Sequence, residues 1–134
     1  VLDYLQLMSS GKKVESRQQE VSEFSRSLKL LAKELEVPVI ALSQLNRGSE
    51  QRTDKRPMIS DLRESGSIEQ DADMVILLHR EDMYNPDTDR VGEADMMIAK
   101  HRGGPTRTIP LAFSGKYSRF ANMAFSDAPP QYEG

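Results

Sequence analysis

Val39-Ile40-Ala41-Leu42-Ser43-Gln44-Leu45-Asn46-Arg47 is the stretch on which the fold turns. Four apolar residues run without interruption and then give way to an amide and a cation. Such a run is expected of a parallel strand buried on both faces. Working upstream, Val37-Pro38 ends whatever precedes it, because the residue before a proline avoids helical geometry. Before that, Val21, Phe24, Leu28, Leu31 and Leu35 recur every three or four residues and form one apolar stripe of a helix. Ser16 and Gln19 make a capping box at its start. Further upstream, beyond a polar loop at residues 9–15, Val1-Leu2-Asp3-Tyr4-Leu5-Gln6-Leu7-Met8 reads as another strand. Strand, helix and strand within about 40 residues is a right-handed βαβ unit. The first strand has no cap, turn or lead-in, so the chain is expected to be a piece of something larger.

Downstream, residues 46–60 form a long polar loop, which is unusual unless functional. Ser60 is placed to cap a short helix over 61–66. Met74-Val75-Ile76-Leu77-Leu78 is a second candidate for a buried strand. Residues 94–100 and 107–113 flank Gly103-Gly104-Pro105-Thr106 as the arms of a hairpin. Pro110 predicts that the second arm lies at a sheet edge. Residues 117–121 suit one more strand. Residues 1–125 are expected to fold, and the Pro-rich tail, 126–134, to be disordered.

The 134 residues amount to about one domain. There is no Cys, which rules out disulfides, thiolate metal sites and a Cys nucleophile. The apolar runs are too short to span a bilayer, and no secretory signal is visible, so a cytoplasmic protein without a membrane partner is expected. The formal charge is only −3 but is unevenly spread. Residues 96–126 hold no acid and five cations, Lys100, Arg102, Arg107, Lys116 and Arg119, whereas 79–95 hold six acids against Arg80 and Arg90.

Ligands of open α/β sheets bind beyond the carboxyl ends of the strands. There this sequence offers an acid within an apolar run (Asp3), an amide (Gln44) and a basic pair (Lys100 and Arg102). An acid, an amide and cations so placed suit Mg²⁺-bound polyphosphate. Taken singly, each has a plainer explanation: a structural carboxylate, a loop amide, a solvated strand face. His101, between the two cations, is expected to face solvent without a role.

Three ordered segments carry a more specific signal: Val1–Met8, Ile40–Arg47, and Ala99-Lys100-His101-Arg102-Gly103-Gly104-Pro105-Thr106. They resemble the later motifs of the bacterial replicative helicases of the DnaB family. Between them, Asp61-Leu62-Arg63-Glu64-Ser65-Gly66-Ser67-Ile68-Glu69-Gln70-Asp71-Ala72-Asp73 resembles that family's DNA-contacting loop. The resemblance implies an α/β, RecA-like ATPase core with a mostly parallel sheet and a C-terminal antiparallel hairpin. It implies ATP and Mg²⁺ as cofactors. Asp3 matches the Walker B carboxylate that holds Mg²⁺ through water, and Gln44 the γ-phosphate sensor, with Arg47 close to the phosphates. Lys100 and Arg102 match the finger pair that acts on the neighbouring subunit's nucleotide. Arg63, Glu64 and Gly66 match the loop that grips single-stranded DNA. Implied partners are a homo-hexameric ring, a primase and a helicase loader.

The chain departs from the pattern in having no G-x-x-x-x-G-K-[ST] phosphate loop. By analogy with RecA-like sheets, the strand before that loop lies between 39–42 and 74–78. Its absence is expected to leave two apolar edges open and the chain unable to bind ATP tightly or unwind DNA alone. Interruption of the gene by an intein and simple truncation are the two origins considered. Two other readings compete: another RecA-like ATPase of the recombinase type, and a non-catalytic module that binds nucleic acid through its basic segment.

Overall fold

The computed structural model describes residues 1–3, 5 and 17–123, apart from the side chains of residues 17, 18 and 63–66. The expected βαβ beginning is present in outline. Leu2 and Ala41 form a parallel bridge. It is held by Leu2 N–H to Ile40 O (2.8 Å), Leu42 N–H to Leu2 O (2.8 Å) and Leu5 N–H to Leu42 O (2.9 Å). Between the two segments runs α1, Arg17–Leu35. It closes before Pro38, as expected. Glu36 takes a left-handed conformation (φ 53°), and Val37 N–H reaches back to Ala32 O at 3.2 Å, the hydrogen bond of a Schellman motif. The capping residue Ser16 lies outside the described residues.

Only the first half of the α1 stripe is covered. Val21 is buried, whereas Leu31 and Leu35 are 42% and 58% exposed. The helix packs on the later part of the segment that follows residues 39–42. That segment consists of α2, Gly48–Gln51, a 3-10 stretch, Ile59–Ser65, kinked at Leu62, and α3, Gly66–Asp71. The short helix expected over 61–66 is therefore a 3-10 turn that begins earlier, and the α-helix proper starts where that prediction ends. Asp61, rather than Ser60, organises the start: its Oδ2 accepts Met58 N–H at 2.7 Å.

Four strands follow: β1, Met74–His79, β2, Glu93–His101, β3, Arg107–Ser114, and β4, Arg119–Asn122. They form a single sheet in the order β1-β2-β3-β4, antiparallel throughout. The hairpin and the last strand thus form as expected. The mostly parallel arrangement is represented, among the described residues, by the Leu2–Ala41 bridge, and the larger sheet is antiparallel. Leu62, Val75 and Leu77 form the core, with Leu45, Ile59, Ala72, Met97 and Ala99 against them. Helical turns cover this one face of β1.

Two expectations need correction. Pro110 is not on an edge strand, since β3 lies between β2 and β4. Phe113 N–H bonds Gly92 O on the β2 side (2.8 Å), so by alternation the nitrogen of residue 110 faces β4. There β4 has already ended, with Asn122 opposite Leu111. The proline costs no ladder bond because the register makes a local edge. The apolar runs are also not buried on both sides. In β1, Val75, Leu77 and His79 are buried while Met74, Ile76 and Leu78 are open, and Ile40 and Leu42 are 58% and 43% exposed. No described strand pairs residues 39–42 with β1, which is the open position expected between them. The tail, 126–134, lies outside the described residues.

Candidate functional site

Parallel pairing of Leu2 with Ala41 sets Asp3 level with Leu42, two residues before Gln44. The acid and the amide therefore leave adjacent strands at the same end. Asp3 and Gln44 are both exposed there. Arg47 follows, also exposed, at the entry to α2. Among the described residues no group of three His, Asp or Glu could hold a metal ion. This donor set fits one carboxylate acting on Mg²⁺ through its water shell, and this chain supplies no phosphate cradle beside it.

The segment that carries Gln44 and Arg47 is tied directly to the stretch 61–73. Asn46 N–H donates to Asp61 O at 3.0 Å. The buried Asp61 carboxylate takes a bidentate grip from Arg52, Nη1 to Oδ1 at 2.7 Å and Nη2 to Oδ2 at 3.0 Å. Arg52 Nη2 also donates to Arg56 O (2.7 Å). The Asp61 partnership raises the affinity of the Arg52 guanidinium for its proton. The long polar loop is thereby pinned, at its first residue and near its middle, to Asp61. Within the motif, Arg63 and Glu64 lie on the 3-10 stretch just past the Leu62 kink, and Gly66 is the first residue of α3. They share one short stretch of backbone at the amino end of α3.

The basic pair is brought to the other end of α3. Lys100, on β2, donates to Glu69 O (2.5 Å) and Gln70 O (3.3 Å), carbonyls of the last turn, where a helix attracts cations. Arg102 follows the strand in the turn. Its N–H donates to Asp73 O at 2.9 Å, and its Nη1 lies 3.1 Å from Asp73 Oδ1. Lys29 of α1 donates to the other oxygen, Oδ2, at 2.6 Å. Lys29 first, then Arg102 and Lys100, hold the Asp73 carboxyl below the usual carboxylate range. His101 is half-buried rather than solvent-facing. Its ring fills the space where Gly104 lacks a side chain: a Cβ there would stand 2.7 Å from His101 Cε1.

Sequence reasoning missed three partners: Asp61, Asp73 and Asp95. Asp95, on β2, is 4% exposed and receives Arg90 Nη1 on Oδ2 (2.9 Å) and Nη2 on Oδ1 (2.8 Å). Asp61 and Asp73 bound the quoted motif, which was their only signal. Asp95 looked like one acid among six in an acidic stretch.

Comparison with known proteins follows the same lines. The family model of the DnaB-like helicase C-terminal domain matches residues 1–122. The replicative DNA helicase DnaB of Leifsonia xyli subsp. xyli is 75% identical over 124 residues, covering 92% of this chain and 27% of that protein. A solved ATPase domain superposes with a TM-score of 0.87 at 52% identity, covering 90% of this chain and 43% of that one. A DnaB-like replicative helicase, solved in a study of its interactions with primase, gives the same score and identity over 30% of its length. This chain thus spans about a quarter of the curated relative. The matches favour neither a recombinase-type ATPase nor a non-catalytic nucleic-acid module. Ordered motifs, a RecA-like fold and the span of the family match lead to one conclusion: the chain belongs to the family of DnaB-like helicase C-terminal domains.

Proposed function

We propose that this chain is the part, from the Walker B strand onward, of a replicative DNA helicase that couples ATP hydrolysis to movement along single-stranded DNA and unwinding of the duplex. What supports this reading is the parallel Leu2–Ala41 pairing, from which Asp3 and Gln44 emerge at one end of adjacent strands. In this proposal Asp3 holds Mg²⁺ through water, Gln44 senses the nucleotide's terminal phosphate, and Arg47 lies close to the phosphates. Mg²⁺ and ATP supply the electrophilic phosphorus and its charge neutralisation. Lys100 and Arg102 stabilise the charge that develops on the nucleotide bound by the neighbouring subunit. Arg63, Glu64 and Gly66 hold the DNA backbone. Arg63 contributes charge. Gly66 lets a backbone N–H approach a phosphate. Glu64, itself an anion, contributes through its N–H. A grip on phosphates suits a motor that must ignore base sequence. The proposed setting is a cytoplasmic homo-hexameric ring that meets a primase and a loader. No described helix is long and apolar enough to cross a membrane. Without a phosphate loop, the 134 residues by themselves are expected to be inactive.

The test uses the full-length protein that carries this segment. Arg102→Ala is expected to lower DNA-stimulated ATP hydrolysis by about 10³-fold or more, and Asp3→Ala to abolish it. Because the finger acts across an interface, rings mixed from these two inactive variants contain some complete sites and regain hydrolysis. Mixed rings that stay inactive refute action in trans.

A further inference from the structure

The DNA-loop motif and the finger pair meet at Asp73, a residue to which no role has been assigned. Asp73 engages Arg102 twice, through its carbonyl (2.9 Å to Arg102 N) and its carboxylate (3.1 Å from Oδ1 to Nη1). One residue of the turn is thus held at both backbone and side chain. The second carboxylate oxygen is held by Lys29 of α1 (2.6 Å), and Ser25 of the same helix donates to Asp71 Oδ2 (2.8 Å). Lys100 grips the last carbonyls of α3. Helix α3 has only six residues, about 9 Å of rise. Its amino end carries Gly66, close to Arg63 and Glu64, and its carboxyl end leads into Asp73. So short a helix is held at its carboxyl end by Lys100, and the residue just beyond it is hydrogen-bonded to Arg102.

We propose that Asp73 is a positioning residue that carries displacement of the DNA-contacting segment to Arg102. The proposal rests on the reading of Arg102 as the finger. When DNA pulls on residues 63–66, α3 shifts, and the carbonyl and carboxylate of Asp73 shift Arg102 with it. Lys29 keeps the carboxylate oriented, so that Oδ1 remains available to the guanidinium. The pair is exposed, at 60% and 62% of the two side chains, so its loss affects linkage more than folding.

The experiment measures, in the full-length protein, the ratio of ATP turnover with and without single-stranded DNA. Asp73→Asn is expected to cut that ratio about threefold or more, with the melting temperature unchanged within about 3 °C. Asp73→Glu, which restores the charge, is expected to recover part of the ratio. Hydrogen exchange supplies a readout that a merely structural role would not move. DNA binding is expected to alter exchange at residues 102–106 in the parent protein, and that response is expected to be lost in Asp73→Asn. An unaltered ratio, or a DNA response at 102–106 that persists in Asp73→Asn, overturns the proposal. If Arg102→Ala itself leaves hydrolysis intact, the finger reading fails instead, and the two failures are told apart.

Discussion

Replacing Asp95 by Asn tests how β2 is held in place for the residues at its end. The substitution keeps the shape of the side chain and removes its charge. It leaves one acceptor where there were two, and turns an amide NH₂ toward a guanidinium that has only donors. Asp95 is almost fully buried and binds Arg90 through two bonds of 2.8 and 2.9 Å, with Arg56 Nη1 at 3.4 Å. Removing one partner of a buried pair typically costs about 3–5 kcal/mol. Arg90 is 30% exposed and keeps Glu93 through Nε at 2.9 Å, so part of its charge is recovered by water and by that carboxylate. A loss of about 2 kcal/mol follows, or a melting temperature lower by about 4–8 °C. The assay is thermal unfolding of the full-length protein at neutral pH and physiological salt. Arg90, then Arg56 and His79, keep the Asp95 carboxyl below its usual range. Its stabilising effect is therefore complete above an unfolded value of about 3.9 and is lost as pH falls through the depressed folded value. The gap between parent and variant should close under those acidic conditions. A shift under about 2 °C at neutral pH refutes the reasoning, and so does a gap that persists undiminished in acid.

Arg63→Ala is expected to weaken single-stranded DNA binding uniformly across sequences and to reduce the salt slope of log K by about 0.7, the value for one phosphate contact on a single strand. An unchanged slope in a filter-binding or anisotropy series removes Arg63 from the DNA grip. His79, buried in β1 and stacked on Tyr84 at 6.0 Å, has its proton affinity lowered first by burial and then by Arg56. A depressed imidazole contributes stability above its unfolded value of about 6.5, and that contribution is lost as pH falls through the lower folded value. The melting temperature should drop as pH falls below about 6.5, and His79→Gln should flatten that drop. Equal slopes for parent and variant refute the assignment.

Much of the fold was legible because its signals are local. The α1 period, the Gly103–Thr106 hairpin and the order of the motifs depend on neighbours within a few residues. What was illegible depends on register and on distant partners. Pro110 read as an edge residue because proline removes a donor, yet whether that donor was needed depends on where β4 ends. Leu31 and Leu35 continue the α1 stripe in sequence, but α3 and the 3-10 stretch cover only its beginning. Asp3, Gln44, Lys100 and Arg102 stood out because unusual chemistry follows or interrupts apolar runs. Asp61, Asp73 and Asp95 did not, because an acid in a polar stretch looks like any other until its cation is found.

By itself, the order of residues determined the strand–helix–strand beginning, the hairpin, the family resemblance and which side chains carry charge at strand ends. These follow from backbone preference and apolar spacing, which act over short distances. Only the tertiary structure decided that α3 starts at Gly66, just past Arg63 and Glu64, and meets Lys100 at its other end. It alone joined Asp73 to Arg102 and to Lys29, the latter 44 residues away in the chain. The physical reason is that an ion pair or a hydrogen bond is set by distance in space, and here the pairing of β1 with β2 and the packing of α1 on α3 create that distance.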